Sequence, residues 1–188
     1  MSSSALLNSI FLVTLVSGVN LPSGTLAGVT LPDTVQVGTT TLGLNGAGLR
    51  TKYMVKVYVA GLYLTQKSSD PNVILKPDHP KRIVMHFVRD LSKDQLRDGF
   101  TESFHNNSPE AEKTLRAQID RFFSVLVPVR DGQELVFTYM PENGTQVSFG
   151  DREVLTIPGP DFAEMIFSVW LGPKPPNAAL KKGLLGTL

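Results

Sequence analysis

Two short turns in the second half of the chain constrain its fold more than any other feature. Asn143-Gly144 and Gly150-Asp151 are dipeptides typical of tight β-hairpins, and each joins segments rich in Val, Thr, Phe or Tyr. Strands joined by such short turns pair antiparallel, because a parallel pair needs a crossover of a dozen or more residues. Residues 133–157 therefore predict a three-stranded antiparallel meander.

Strand-forming segments also dominate the first half of the chain. Residues 35–42 predict a small hairpin, and the Gly-rich sequence NGAGLR predicts a tight turn or bulge before a strand over residues 53–64. Residues 82–88 predict another strand, whose apolar content is typical of a buried position.

The helical segments are grouped apart from the strands. Ser92 and Gln95 form a capping box that predicts a helix directly after Ser92. Residues 109–126, which begin with Pro in its favoured first position, predict one continuous second helix. A third helix is predicted from Asp161, with Glu164 completing another capping box, and a short tail helix follows. This grouping favours an α+β fold with an antiparallel sheet over a doubly wound parallel sheet.

Composition excludes several kinds of site. The chain has no cysteine, which excludes disulfides, thiolate metal ligands and cysteine nucleophiles. Its 18 Lys and Arg against 17 Asp and Glu leave no basic excess, so no nucleic-acid partner is predicted. The histidines, His79, His86 and His105, lack the spacing of metal ligands, and His86 suits a hydrogen-bonded core position. We therefore predict no metal and no cofactor.

The N-terminal segment is free of Asp, Glu, Lys and Arg through its first 32 residues. Its apolar run over residues 5–18 is shorter than the about 20 residues of a membrane span. Residues 1–28 are predicted to be a signal peptide, or alternatively an N-terminal extension, before a single domain over residues 29–188. The first alternative implies an exported, periplasmic protein with no stable membrane span after leader removal.

The sequence LNGAGLRTKYMVKVYVAGLYL, residues 44–64, carries the candidate site. Its Gly-Ala-Gly lacks the third glycine and the following helix of a dinucleotide-binding loop. Counting by twos, the face that carries Val59 and Tyr63 is apolar and predicts core. The opposite face begins with Arg50, Lys52, Lys56 and Tyr58 and becomes apolar towards its end. This gradient suits a ligand with an anionic head and a hydrophobic body. The alternative is a solvated strand end whose basic side chains reach water.

The same stretch resembles the signature of the chalcone-isomerase-like family, in which a Gly-Ala-Gly turn carries an arginine and leads into a strand ending Gly-x-Tyr-Leu. The resemblance continues through residues 68–96 and 156–186 and covers roughly residues 29–186. It is strongest to the bacterial, often exported, members. It implies an open-faced β-sandwich, with a large antiparallel sheet, helices packed on one face and a ligand cleft between them.

The resemblance also implies roles for individual residues. Arg50 corresponds to the arginine that positions the ligand, and Tyr58 stands where the plant isomerases have a threonine. The position of their tyrosine falls near Leu91, no asparagine stands near the next position, and their second threonine would fall around Arg152 or Glu153. Most of the polar partners of the isomerases are therefore replaced, which puts cyclisation of a chalcone in doubt.

Fatty-acid-binding relatives use the arginine and a tyrosine to hold a carboxylate. We therefore expect non-enzymatic binding of a fatty acid or similar amphipathic carboxylate by Arg50, Tyr58 and Lys56. One alternative is an isomerase, an intramolecular lyase that uses Arg50 and Tyr58 for catalysis on a small substrate. Another is an envelope scaffold with a vestigial cleft.

Overall fold

The computed structural model describes residues 25–187. Within them the strands are β1 (Thr25–Leu26), β2 (Val29–Thr30), β3 (Thr34–Val37), β4 (Thr40–Lys52), β5 (Val55–Leu64), β6 (Lys81–Phe87), β7 (Glu134–Met140), β8 (Gly144–Phe149) and β9 (Arg152–Ile157). The helices are α1 (Pro71–Leu75), α2 (Lys93–Asn107), α3 (Pro109–Thr114), α4 (Arg116–Val125), α5 (Asp161–Leu171) and α6 (Ala178–Leu184).

Strands β3 to β9 form one antiparallel sheet in which neighbours in the chain are also neighbours in the sheet, while β1 and β2 form a separate hairpin. The main hydrophobic core lies between one face of the large sheet and helices α2, α4, α5 and α6. Helix α5 is almost wholly buried, and its Trp170 packs against Phe100 and Phe137. The predicted α+β fold, a large antiparallel sheet with helices packed on it, is confirmed.

The helix-covered face of β5 is the one that carries Tyr58, Ala60 and Leu62. The sequence predicted the opposite face as the core, and that interpretation is wrong for the main core. Val59 and Tyr63 instead pack in two smaller clusters on the other side of the sheet, one of which includes the β1–β2 hairpin. Both faces of β5 are apolar because both are covered, so alternation alone could not decide between them.

Of the two alternatives predicted for the Gly-rich stretch, a turn is wrong, because these residues lie inside β4. The bulge is confirmed, because the pairing of β4 with β5 shifts register between Leu44 and Gly46. At Gly46 an added Cβ would lie 2.2 Å from a backbone oxygen of α6, and at Gly48 the distance would be 2.6 Å. Real Cβ contacts are longer than this, so glycine is required where the backbone of α6 approaches the strand.

The turn between β4 and β5 is instead formed by Tyr53 and Met54. Their φ angles are 50° and 65°, and Lys52 pairs with Val55 on either side of them. Positive φ at both central residues is the geometry of a type I′ hairpin, which favours Asn-Gly. Tyr and Met rarely adopt this geometry, so the sequence did not indicate a turn here. The prediction that the strand begins at Tyr53 is therefore wrong.

Residues 109–126 form two helices rather than the predicted single one. Leu115 separates α3 from α4 with φ −101° and ψ 27°, outside regular helix geometry. The apolar side chains at helical spacing in this segment, Leu115, Ile119, Phe122 and Leu126, are nevertheless buried, and Phe123 is partly buried. The helix therefore breaks without changing which side of the segment faces the core.

The two predicted capping boxes have different outcomes. Ser92 and Gln95 form theirs, with the Gln95 amide donating to Ser92 Oγ at 3.1 Å and the Ser92 amide donating to Gln95 Oε1 at 2.9 Å. The second is absent, because α5 begins one residue earlier than that motif requires. Pro160 occupies its N-cap without a side-chain hydrogen bond, and Asp161 is already the first helical residue.

The buried Lys81 binds the C-terminal end of helix α1. Burial lowers the pKa of Lys81 to about 8, while the charges of Asp78 and Glu164 act in the opposite direction. The ammonium group donates, at 2.6–3.3 Å, to the carbonyl oxygens of Ile74, Leu75 and Lys76. This arrangement satisfies the carbonyls that a helix C-terminus leaves without partners.

The β1–β2 hairpin turns at Ala27 and Gly28, both with positive φ. The predicted leader boundary after residue 28 falls within this turn, and residues 1–24 of the predicted leader lie outside the described residues. The leader and the domain boundary therefore stay predictions. Among residues 25–187, no helix combines the length and apolar character that crossing a bilayer requires.

Candidate functional site

A cavity of about 500 Å³ opens between the β4–β5 hairpin, helix α2 and the segment that follows α5. Its volume lies within the range of about 300–1,000 Å³ that is typical of small-molecule sites. Much of its wall is apolar, formed by Val55, Val57, Met85, Phe87, Leu91, Leu96, Phe100 and Val169. The cavity lies on the helix-covered side of the sheet, where the fold predicts a cleft.

Charged side chains line part of the cavity and give it a net positive character. The acidic ones are Asp98 and Glu102, and the basic ones are Arg50, Lys52, Arg89 and Lys174. Four positive charges against two negative ones leave an excess of two, which favours an anionic ligand over a cationic one.

Arg50 and Tyr58 meet at one end of this cavity. They are directly opposite each other on β4 and β5, and both line the cavity. The Arg50 Nη1 group donates a hydrogen bond to the carbonyl of Thr51. A guanidinium has five N–H donors, and within residues 25–187 no other acceptor is bonded to Arg50, so its remaining donors can bind a ligand.

Tyr58 is buried and supplies a neutral hydroxyl to the cavity. Burial raises its pKa to about 12, although the hydrogen bond from Trp170 and the charge of Arg50 lower it. The Tyr58 oxygen accepts a hydrogen bond from Trp170 Nε1 at 3.0 Å, and within residues 25–187 no group accepts its proton. At neutral pH the phenol is therefore a donor with its proton available, rather than a phenolate base.

A β-bulge decides which neighbours of Tyr58 line the cavity. Arg50 pairs with Tyr58 but Thr51 pairs with Lys56, so Val57 has no partner on β4. The resulting irregularity brings Val57 to the cavity beside Tyr58 and leaves Lys56 exposed, outside the lining. The structure thus brings together Arg50 and Tyr58 of the three predicted ligand-binding residues, and a register slip that the sequence does not signal separates Lys56 from them.

The positions named from the isomerases are divided between the cavity and the far edge of the sheet. Leu91 lines the cavity, as an apolar residue. Arg152 and Glu153 lie on β9, the outermost strand, and are absent from the cavity lining. Glu153 instead accepts hydrogen bonds from Gln146 and from Thr156.

Sequence reasoning missed two further components of the cavity. One is Trp170, the donor to Tyr58, which lies 112 residues away in the chain and has no local signal. The other is a polar stripe on α2, where Gln95, Glu102 and Asn106 line the cavity. Their spacing follows the helical period, so a search for polar residues on the inner face of the predicted helix could have found them.

Metal-binding clusters are absent from the described part of the chain: no three His, Asp or Glu side chains there lie close enough to hold an ion. His86 Nδ1 lies 3.0 Å from Glu134 Oε1, and His105 Nδ1 lies 3.4 Å from Glu112 Oε2. His86 is therefore hydrogen-bonded as predicted, although it is only partly buried.

Comparison with known proteins identifies the fold and the family. A fatty-acid binding protein of Arabidopsis thaliana has a similar crystal structure, with a TM-score of 0.67 over 84% of this chain and 92% of the plant chain. Their sequences are 17% identical, so the likeness is one of fold. No curated protein matches the sequence of the chain. The chalcone isomerase-like family model matches residues 23–186, and the protein therefore belongs to the chalcone isomerase-like family.

Proposed function

We propose that the chain binds a fatty acid or a similar amphipathic carboxylate in the cavity headed by Arg50. One observation carries this proposal: Arg50 and Tyr58 stand opposite each other at a cavity whose wall is largely apolar. The guanidinium can hold a carboxylate through two parallel hydrogen bonds, and the neutral phenol of Tyr58 can donate a third. The fatty-acid binding plant protein of the same fold supports the choice of ligand class.

The apolar wall would hold the hydrocarbon part of the ligand. Beyond Arg50 and Tyr58 the lining continues through Met85, Phe87 and Leu96, which bury alkyl groups without leaving a polar atom unsatisfied. Each methylene removed from water contributes about 0.8 kcal/mol. Affinity should therefore rise with chain length until the cavity is filled, and then stop rising.

Isothermal titration with dodecanoate, and with the uncharged dodecanol of the same chain length, tests the proposal. We expect Arg50→Ala to weaken dodecanoate binding by about tenfold to a hundredfold, because charged hydrogen bonds contribute about 1.5–3 kcal/mol. Binding of dodecanol should change far less, since it lacks the carboxylate. Arg152→Ala is the matched control, because this exposed arginine lies outside the cavity lining and should not affect either ligand.

Three results would contradict the proposal. The wild type would show no binding of carboxylates of any chain length, or Arg50→Ala would bind dodecanoate as well as the wild type does. Weakening by Arg152→Ala to the same extent would also contradict it, because the effect would then follow from overall charge rather than from the site.

The other two functions stay predictions. An isomerase would show an Arg50-dependent rate in a chalcone absorbance assay, but Leu91 in the cavity and the remote Arg152 and Glu153 offer it no specific support. A scaffold would carry no lipid when the extracted protein is analysed by mass spectrometry.

We also propose that the chain is exported, on the basis of its uncharged first 32 residues, and N-terminal sequencing of protein from the periplasmic fraction tests this.

A further inference from the structure

The apex of the β4–β5 hairpin is the most exposed apolar feature of the described chain. Tyr53 is 90% exposed and Met54 is 99% exposed, and the adjoining Val55 is 44% exposed. We call residues 52–56 the hairpin tip. Apolar side chains standing together in water, at the apex of a projecting hairpin, indicate a surface that another body covers.

Local folding does not explain why Tyr and Met occupy this apex. Both have positive φ, a conformation that residues with a Cβ adopt at a cost and that Asn and Gly adopt readily. A hairpin selected only for stability would carry Asn-Gly at Tyr53 and Met54. The chain instead keeps two large apolar side chains in an unfavourable conformation, which indicates a function for the side chains themselves.

The charged residues that flank the apex in the hairpin sequence are all positive. The sequence from Arg50 to Lys56 contains Arg50, Lys52 and Lys56 and no acidic residue. Lys52 Nζ lies 5.9 Å from the centre of the Tyr53 ring, so the cation lies beside the apolar apex. Apolar and aromatic side chains flanked by Lys and Arg are typical of protein segments that lie in the interface of a bilayer with anionic lipids.

The shape of the tip favours a bilayer over a protein partner. A stable protein interface buries about 800 Å² on each partner, whereas the exposed apolar apex consists of three consecutive residues on a projecting turn. A few side chains of this kind can enter the soft headgroup region, and their reversible binding suits a protein that must leave the surface again.

The tip also forms part of the cavity mouth. Lys52, Tyr53 and Val55 line the cavity and are exposed, as is Lys174 on the segment that follows α5. A flat surface that received the tip would therefore lie next to the opening. An amphipathic molecule leaving that surface would first meet Arg50, Lys52 and Lys174, whose charges attract its anionic head.

We propose that the hairpin tip inserts Tyr53 and Met54 into the interface of a bilayer that contains anionic lipids, and so sets the cavity mouth against the membrane surface. That the membrane is also the source of the ligand rests on the proposed function. The docking itself does not, because two of the residues that it uses, Met54 and Lys56, lie outside the cavity lining and can be changed without altering the cavity.

Cosedimentation with vesicles tests the docking. The full chain is mixed at low salt with vesicles of phosphatidylcholine alone, or with about one-third phosphatidylglycerol added. We expect the wild type to bind the anionic vesicles more strongly than the neutral ones, and high salt to weaken that binding. Met54→Gly should reduce the partition into anionic vesicles about tenfold, because a buried Met side chain is lost. Glycine suits the positive φ, so this variant keeps its fold.

Two further variants separate the parts of the proposal. Lys56→Gln should weaken binding to anionic vesicles about fivefold and leave binding to neutral vesicles unchanged. Val73→Ser is the matched control, because Val73 is 50% exposed but lies on α1, which follows the far end of β5. It should bind vesicles as the wild type does. Absence of wild-type binding to anionic vesicles, which would indicate a protein partner for the tip, or equal binding by Met54→Gly, would overturn the proposal.

Uptake of dodecanoate from loaded vesicles connects docking to ligand binding. Met54→Gly should take up the fatty acid about tenfold more slowly than the wild type, with unchanged affinity in solution, because Met54 does not line the cavity. If the wild type binds vesicles but no fatty acid, the docking stands and the proposed function fails. If it binds fatty acid but no vesicle, the reverse holds.

Discussion

The two ends of strand β5 are packed in opposite ways. At the end near Leu62 and Leu64, helix α6 presses its backbone onto β4 at Gly46 and Gly48 and closes the core. At the other end the helices stand away from the sheet and leave the cavity beside Tyr58. We call these the closed end and the open end.

The difference shows that the cavity does not result from poor packing. At the closed end the chain uses glycine to bring backbones closer than any side chain permits. At the open end it places a bulge, a buried tyrosine and a tryptophan that donates to this tyrosine, which together hold a polar group beside the apolar part of the wall. A fold that packs one end so tightly could fill the other, so the open end indicates a function.

The substitution Gly46→Ala, at the closed end, should have the largest effect on the unfolding free energy. The new Cβ would lie 2.2 Å from the carbonyl oxygen of Gly183, so α6 must move and expose Leu180 and Leu184. Overpacking of this kind costs about 3 kcal/mol or more of unfolding free energy. Urea denaturation measures the loss. In the matched control Gly43→Ala the nearest atom would be 4.0 Å away, and an equal loss there would show that the close contact is not what matters.

Lys81 joins the closed end to helix α1. Removal of its side chain should have the next largest effect on the unfolding free energy. Lys81→Met leaves three carbonyls at the end of α1 without their donor, which should cost about 1–2 kcal/mol at neutral pH. Chemical denaturation of both proteins measures the difference. Lys182→Met, at an exposed position of α6, is the matched control and should have little effect.

The pH dependence of this difference follows from the lowered pKa of Lys81. Between pH 8 and pH 10 the folded protein has lost the Lys81 proton, while the unfolded chain, with the ordinary pKa of 10.5, still holds it. Stability rises with pH wherever the unfolded state binds more protons. The advantage of the wild type over Lys81→Met should therefore grow as pH rises through this window, by up to about 1.4 kcal/mol per unit. An advantage that shrinks would contradict the lowered pKa.

At the open end, Tyr58→Phe tests whether the hydroxyl has a structural and a binding role. The buried indole of Trp170 would lose its acceptor, so we expect a loss of about 1 kcal/mol in unfolding free energy. We also expect binding of dodecanoate to weaken by about fivefold, because one neutral donor is lost. Unchanged affinity together with lower stability would make Tyr58 a structural partner of Trp170 only.

The parts of the molecule that could be predicted from the sequence are those with local signals. The β7–β9 meander follows from its turn dipeptides, and the start of α2 follows from Ser92 and Gln95. The course of β4 could not be predicted, because Gly46 and Gly48 suit a turn as well as a close backbone approach. Only α6, far along the chain, decides between them.

The candidate site, too, could be predicted only where its residues have local signals in the sequence. Arg50 and Tyr58 were found because they share one strand-forming stretch and a family resemblance. The bulge that excludes Lys56 depends on how β4 pairs with β5, and the bond from Trp170 joins residues 112 positions apart. Neither has a local signal, so the sequence predicts two candidate ligand-binding residues but not the residues that surround them in the cavity.

The smallest change in unfolding free energy is expected from substitutions in the hairpin tip, at the open end. This change is an increase. The double variant Tyr53→Asn/Met54→Gly converts the turn to the dipeptide that its positive φ angles favour. Relief of two left-handed residues should raise the unfolding free energy by about 1 kcal/mol in urea denaturation. The same substitution at the apex removes both side chains that we propose enter the bilayer, so vesicle binding should fall as stability rises.

A variant that is more stable and yet binds vesicles as well as the wild type does would mean that the strained apex is kept for some other purpose. A variant that is less stable would mean that Tyr53 and Met54 stabilise the hairpin, and the difference between the closed and open ends would then be one of packing alone.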